Sequence, residues 1–460
     1  MYKKDVWNTY DEKAMAAVQA LSEEYKVYIS ENKTERECVA AAIAMAEKEG
    51  YVNLEEKLKT QETLKCGDKV YAECMGKSLL LALIGEEPME QGMNILGAHV
   101  DSPRLDLKQN PLFEDTGMTL LDTHYYGGIK KYQWVTIPLA LHGVIVKRDG
   151  SKVMVQIGEK ESDPVFCISD LLIHLSAEQL EKKAKEVIEG EGLDVLIGSQ
   201  PLADTEKDAV KANILQLLER TYGVCEEDFI SAEIEVVPAG KARDCGLDRS
   251  MVMGYGHDDR ICAYTSLVAM LEAKPQKRTA ICLLVDKEEI GSVGATGMQS
   301  HFFEDTIAEI MNLTGSYSEL LLRRALRNSC MLSSDVSAAF DPGYAAAFEK
   351  KNAAYFGQGL VFNKYTGARG KSGSNDASAE YVAEVRDVME QAEVAYQTAE
   401  LGKVDFGGGG TIAYILANYG MRVIDSGIAL LSMHAPWEIA SKADIYEAYK
   451  GYCAFLANMK

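Results

Sequence analysis

None of the ten cysteines stands in a CxxC pair, and several, Cys262 and Cys282 among them, lie inside apolar runs. That argues against a thiolate-ligated zinc site and reads as reduced, buried thiols. No stretch approaches the ~18 consecutive apolar residues of a membrane span. The opening residues, MYKKDVW, lack the apolar core of a signal peptide. The expected compartment is therefore the cytoplasm. Basic residues are in deficit, 48 against 70 acidic, for a net charge of -22. Such a surface repels nucleic acid and anionic membranes, so neither is an expected partner. The glycine run 407–410 leads into Thr411 and Ile412 without the Lys-Ser/Thr ending of a phosphate-binding loop, which argues against a nucleotide. Internal repeats and low-complexity tracts are absent as well.

What is present suffices for a large core: 460 residues, 47% of them hydrophobic. Residues 11–30 and 34–48 carry helical spacing, and a short apolar strand from 93 stops at the polar cluster 99–103. From about 112 to 248 strand-like runs dominate, such as 132–137 and 152–157, interrupted by a charged helical patch at 176–189. After 250 strands and helices alternate, with 377–398 predicted as one long helix and 357–375 as a long loop. Alternation of this kind predicts an α/β fold, a mostly parallel central sheet covered by helices. The expected organisation is a catalytic domain, 1–111 and 249–460, with a β-rich insertion at 112–248.

Open α/β sheets bind ligands at the carboxyl ends of their strands. Four apolar runs end in metal-binding residue types: His99 and Asp101 follow the first, Glu288 and Glu289 the second, Asp335 the third and His434 the fourth. Asp258 and Asp259 stand at the start of a helix. Singly, each has a bland reading as a helix cap, a solvated acid pair or a packed histidine. Jointly they supply imidazoles and carboxylates suited to zinc, cobalt or manganese. A carboxylate shared by two cations holds them ~3.5–4 Å apart, the spacing of two-metal hydrolases. One of two adjacent glutamates can ligate while its neighbour moves the proton. Asp101 is spaced to hold the second ring nitrogen of His99.

The order HxDSP, DD, EEIGSxGATG, SxD and SMHxxxE resembles the aspartyl aminopeptidase family of dinuclear zinc exopeptidases, over nearly the whole chain. The block DKEEIGSVGATG at 286–297 is its most specific part, and Tyr126-Gly127-Gly128 and the 407–412 loop are further echoes. The resemblance implies that Asp258 bridges two metals, that His99 and Asp335 complete one site, and that Glu289 and His434 complete the other. It implies Glu288 as general base, Asp101 as the acid orienting His99, and short peptides as substrates. Lys364, Arg369 and Lys371 in the 357–375 loop are candidates for holding an acidic first side chain, Lys364 favoured because it aligns with a family lysine; Gly409 and Gly410 are candidates for backbone contact with substrate. A dodecamer built from dimers, joined through the insertion, is likewise implied by resemblance alone.

The chain departs from the family pattern at Val100, where Thr is usual, at Asp259, where Asn is common, and at 337–341, which lacks the family's histidines. Three functions stay open at this stage: an aminopeptidase, a related metal-dependent amidohydrolase acting as a carboxypeptidase or deacylase, and a non-catalytic assembly protein.

Overall fold

The computed structural model describes residues 5–460; the opening residues 1–4, part of the N-terminal reading above, lie outside them. Contacts divide the chain into two compact units. The first holds the described residues up to Ser102, together with Ala242–Met433 and Glu438–Lys460.

A nine-stranded sheet organises the first unit. Its strands are β1 (Val52–Asn53), β2 (Lys69–Cys74), β3 (Ser78–Leu83), β4 (Met93–His99), β5 (Thr279–Val285), β6 (Cys330–Ser334), β7 (Leu360–Asn363), β8 (Tyr396–Thr398) and β9 (Arg422–Gly427). In space they run β1-β2-β3-β5-β4-β6-β9-β7-β8. The central four, β5, β4, β6 and β9, are mutually parallel. β4 and β5 are buried at every position, as strands covered on both faces must be. Alternation divides their side chains between two cores. Leu96 and Ala98 join a cluster with residues of helices His257–Glu272 and Lys442–Asn458, while Ile95 joins one with residues of helix Phe302–Leu313. The α/β class predicted from the alternation is the class observed.

Local rules start the helices where the sequence places them. Asp11 caps the first helix through the Ala14 N–H, and Thr34 with Glu37 forms a reciprocal capping box on the second. Two expectations fail nearby. The segment 377–398 is not one helix: Ala379–Gln391 ends before Glu393, whose φ of 53° is left-handed, and β8 follows. The segment 357–375 is not all loop, because the apolar Leu360, Val361 and Phe362 enter the sheet as β7. A smaller five-stranded sheet takes in Ala429–Leu431, the apolar run that precedes His434; its strands Met251–Gly254 and Glu438–Ser441 had no clear sequence signal.

The second unit comprises Pro103–Lys241 and His434–Trp437. Its six-stranded sheet is antiparallel throughout and contains the long hairpin Arg104–Asp115 and Met118–Tyr126. The predicted strand at 132–137 is absent; a short helical turn, Lys131–Gln133, takes its place and buries Trp134. Helix Ala209–Tyr222 is an addition to the sequence reading, closed by Gly223 at a φ of 64°. The patch 176–189 forms only two short helical pieces, and the stretch before it leaves Leu171, Leu172, Ile173 and Leu175 exposed. Among the described residues no helix is long and apolar enough to cross a membrane.

Candidate metal centre

β4 and β5 run side by side in register, His99 opposite Val285. Residues just past their ends therefore emerge together. After β5 the chain turns through Lys287, at a φ of 68°, into a short helical turn, Glu288–Ile290. The N–H groups opening such a turn have no partner of their own. Asp101 supplies one: its Oδ1 accepts from Glu288 N and its Oδ2 from Glu289 N, both at 3.2 Å.

The rest of the 286–297 block is tied down in the same way. Thr296 Oγ1 donates to the buried Asp286 at 2.5 Å, and Ser78 Oγ donates to the Thr296 carbonyl at 2.5 Å. A Cβ at Gly297 would fall 2.3 Å from the Ser292 carbonyl oxygen, which explains the glycine there.

His99 is buried, with Nδ1 2.9 Å from the Asp101 carbonyl and 3.3 Å from its Oδ1. These partners favour a proton on Nδ1 and aim the Nε2 lone pair into the cluster. Nε2 lies 3.3 Å from Asp258 Oδ1 and 3.9 Å from Glu288 Oε2. Asp258 opens the helix His257–Glu272 in a non-helical conformation, held from both sides. Its N–H donates to Glu438 at 3.1 Å, and its carbonyl accepts from Ser102 Oγ at 2.6 Å. Asp335 follows β6, and its N–H donates to the Ser426 carbonyl of β9 at 3.1 Å. A Cβ at Gly427 would lie 1.8 Å from the Asp335 carbonyl oxygen, so only glycine fits beside it.

His99, Asp258 and Asp335 thus offer ligand atoms within 4.8 Å of one another, and His99, Glu288 and Glu289 do the same. Burial raises the carboxyl of Asp335 well above the usual carboxylate range, and the negative charges of Asp259 and Glu288 push it the same way. Burial opposes protonation of His99, yet hydrogen bonds to Asp101 and Asp258 outweigh it and raise the ring well above its ordinary value. Converging carboxylates that repel one another in a dry site are the environment a divalent cation relieves, so the donor set fits a metal.

His434 lies in the second unit, with Nδ1 2.8 Å from the carbonyl of Gly128 in the Tyr126-Gly127-Gly128 motif. With the proton on Nδ1, Nε2 is left as a donor of its lone pair. Lys364, just past β7, pairs with Asp376 at 2.7 Å and is half exposed; Lys371 shares that partner at 3.0 Å. Gly409 N donates to the Thr366 carbonyl at 3.1 Å, and a Cβ on Gly410 would meet nothing within 4 Å.

The roles of Glu438, Asp259 and Asp376 were not foreseen. Glu438 was visible only as the last letter of SMHxxxE, and Asp259 only as the second acid of a pair. Asp259 Oδ2 accepts weakly from His99 N at 3.4 Å, while its buried Oδ1 has no hydrogen-bond partner among the described residues. Burial raises its carboxyl well above the usual range.

Known proteins share both sequence and architecture with this chain. A Clostridium acetobutylicum protein described as a probable M18 family aminopeptidase 1 is 66% identical over 456 residues, 99% of this chain and 98% of its own length. The crystal structure of an M18 aminopeptidase from Thermotoga maritima superposes with a TM-score of 0.95 at 45% identity, covering 100% of both chains. The mApe1 dodecamer structure from S. cerevisiae, 20% identical with a TM-score of 0.76, covers 95% of this chain and 96% of its own and shares the fold. Residues 28–456 match the aminopeptidase I zinc metalloprotease model, and with the 66% identity this places the chain in the M18 family of metal-dependent aminopeptidases.

Proposed function

We propose that this M18 aminopeptidase removes the first residue of short peptides with two divalent cations, most simply zinc, and with Glu288 as its proton-transfer group. The observation that carries the reading is the approach of His99 Nε2, Asp258 and Asp335, from three separate parts of the chain, to within 4.8 Å, with Glu288 at the rim of the same cluster. Asp258 serves both cations, His99 and Asp335 hold one, and Glu289 and His434 hold the other; His434 keeps here the part its sequence motif gives it. When bound, the metals supply Lewis acidity to the scissile carbonyl and make water a better nucleophile near neutral pH.

The protein's own groups do the rest. Glu288 accepts a proton from water and returns it to the leaving amine. Asp101 orients the His99 ring and, through its bonds to the two backbone N–H groups, holds the turn that carries Glu288 and Glu289. Gly409 and Gly410 line the approach of the substrate backbone. Lys364 recognises an acidic first side chain, exchanging its present partner Asp376 for the substrate carboxylate. The exposed Leu171, Leu172, Ile173 and Leu175 support a second copy as the partner of the β-rich insertion, 112–248 in the sequence reading, and the yeast dodecamer supports a larger homo-oligomer built from such pairs. Ten free thiols accord with a cytoplasmic protein.

The test is a panel of aminoacyl p-nitroanilides, free and N-acetylated, with Glu288→Gln as control. Free amines are turned over, acetylated ones are not, and the variant keeps its metal while losing at least ~10²-fold in rate. Brisk cleavage of the blocked substrates would replace this reading with the related metal-dependent amidohydrolase, a carboxypeptidase or deacylase.

A further inference from the structure

One row across the central sheet carries polar side chains that no step above uses. Gly97 of β4 pairs with Ser333 of β6, Ser333 with Asp425 of β9, and Asp425 with Asn363 of β7. Side chains two apart on a strand share a face, so this row lies one pleat below His99 and Asp335, on their side of the sheet. Ile412 Cδ1, 3.5 Å from where a Cβ on Gly97 would sit, places the segment after the glycine run on that same face.

Asp425 is 2% exposed. Its Oδ1 accepts from Thr411 Oγ1 at 2.6 Å; its Oδ2, like the buried Ser333 Oγ, has no hydrogen-bond partner among the described residues. Burial pushes its carboxyl up to about 7, and the bond from Thr411 pulls the other way. A carboxylate kept in so dry a place, bonded through one oxygen to a single side chain, is costly unless that contact is used.

Thr411 closes the glycine run 407–410, whose backbone has few other anchors. Within the run, Gly409 N donates to the Thr366 carbonyl at 3.1 Å and Gly407 N to the Lys403 carbonyl at 2.9 Å. Glycine here is a matter of fit at one end and freedom at the other. A Cβ on Gly408, at a φ of +128°, would strike the Ala368 backbone at 2.5 Å, whereas one on Gly410 would meet open space. Four glycines in succession carry the greatest conformational freedom a chain can have, so a fixed endpoint decides where the run lies.

We propose that Asp425 is a positioning residue of the aminopeptidase: through Thr411 it pins the end of the 407–410 run to the sheet beneath His99 and Asp335, and so sets the backbone that receives the substrate. The inference rests on the reading of Gly409 and Gly410 as substrate contacts. It assigns Asp425 no proton transfer and no metal. An anchor of this kind acts on substrate binding more than on the chemical step, because Thr411 and the glycine run carry neither a proposed metal ligand nor Glu288.

The experiment combines steady-state kinetics of the metal-loaded enzyme on its best aminoacyl p-nitroanilide with amide hydrogen exchange over 405–412. Thr411→Val removes the donor while keeping the shape. It is expected to raise KM roughly 10-fold, the worth of one buried hydrogen bond, to change kcat less, and to speed exchange at Gly409 and Gly410 by a similar factor. Thr411→Ser restores both readouts. Asp425→Asn, which can still accept from Thr411, stays near wild type. Asp425→Ala behaves like Thr411→Val, and the two together cost no more than either alone, as members of one contact should. Metal content stays at the wild-type level in every variant. Wild-type exchange and wild-type KM in Thr411→Val would overturn the proposal. A wild-type enzyme idle on every free amine would instead overturn the peptidase reading, while the exchange arm still decides whether Asp425 anchors the run.

Discussion

Asp101 Oδ1 accepts the backbone N–H of Glu288 at 3.2 Å, so the acid past the end of β4 holds the turn that carries the proposed proton-transfer group. The same carboxylate reaches the neighbouring N–H and stands 3.3 Å from the ring of His99. One side chain thus couples the aim of a metal ligand to the position of the group that moves the proton.

Asp101→Asn presents an NH2 group to one of the two N–H donors it now satisfies. We expect kcat to fall ~10- to 100-fold, the range for partners that orient metal ligands, with the fold unchanged by circular dichroism. Wild-type kcat in this variant would remove the coupling described above.

Metal removal follows from the donor set. Dialysis against a strong chelator is expected to abolish turnover, and zinc, cobalt or manganese to restore it to different degrees. Metal analysis of the loaded protein should find two ions per chain. His99→Ala and Asp335→Ala should each lower that number, whereas Lys364→Ala should not. Full activity after exhaustive chelation would contradict the two-cation reading.

Lys364→Ala tests the reading of the first side chain. If Lys364 takes an acidic group, the ratio of kcat/KM on Asp- to Leu-starting substrates falls by about 10-fold or more, the size of a hydrogen bond to a charged partner. An unchanged ratio would mean that the ion pair with Asp376 is only a strut of its loop.

Asp444 links stability to pH. Its oxygens accept the N–H groups of Gly357 and Gly359 at 2.9 and 2.7 Å. Burial pushes its carboxyl up to about 8, although those two bonds lower it. An unfolded aspartate titrates near ~4, so from there to about pH 8 the folded chain holds the extra proton. Stability from this group therefore falls as pH rises through that window, by at most ~1.4 kcal/mol per unit, and levels off above it. Denaturant unfolding at pH 6 and pH 9 should show the wild type losing stability relative to Asp444→Asn. Parallel pH profiles would exclude Asp444 as the source.

Sequence legibility varied with how local the cause was. Strands β4 and β5 were visible because a strand buried on both faces is an unbroken apolar run. β7 and β8 were missed for the opposite reason. Each is three or four residues beside glycines or a helix end, and becomes a strand only because the sheet edge is there to pair with. Helix Ala209–Tyr222 was readable from the spacing of Val210, Ile214 and Leu218 with Gly223 behind it, and was overlooked within a β-rich segment. Asp376 and Asp425 carried no local signal that separates them from the chain's other acids, and Asp259 was visible only as the second acid of its pair.

By itself the sequence determined the α/β class, the residue types waiting at the strand ends and the family pattern that links them, because periodicity and motif spacing are properties of neighbours along the chain. Which acid meets which imidazole was decided by the tertiary structure alone. The order β5-β4-β6-β9 brings positions near 99, 288, 335 and 425 side by side, and that order is set by two apolar cores closing over the sheet rather than by anything within reach of each residue along the chain.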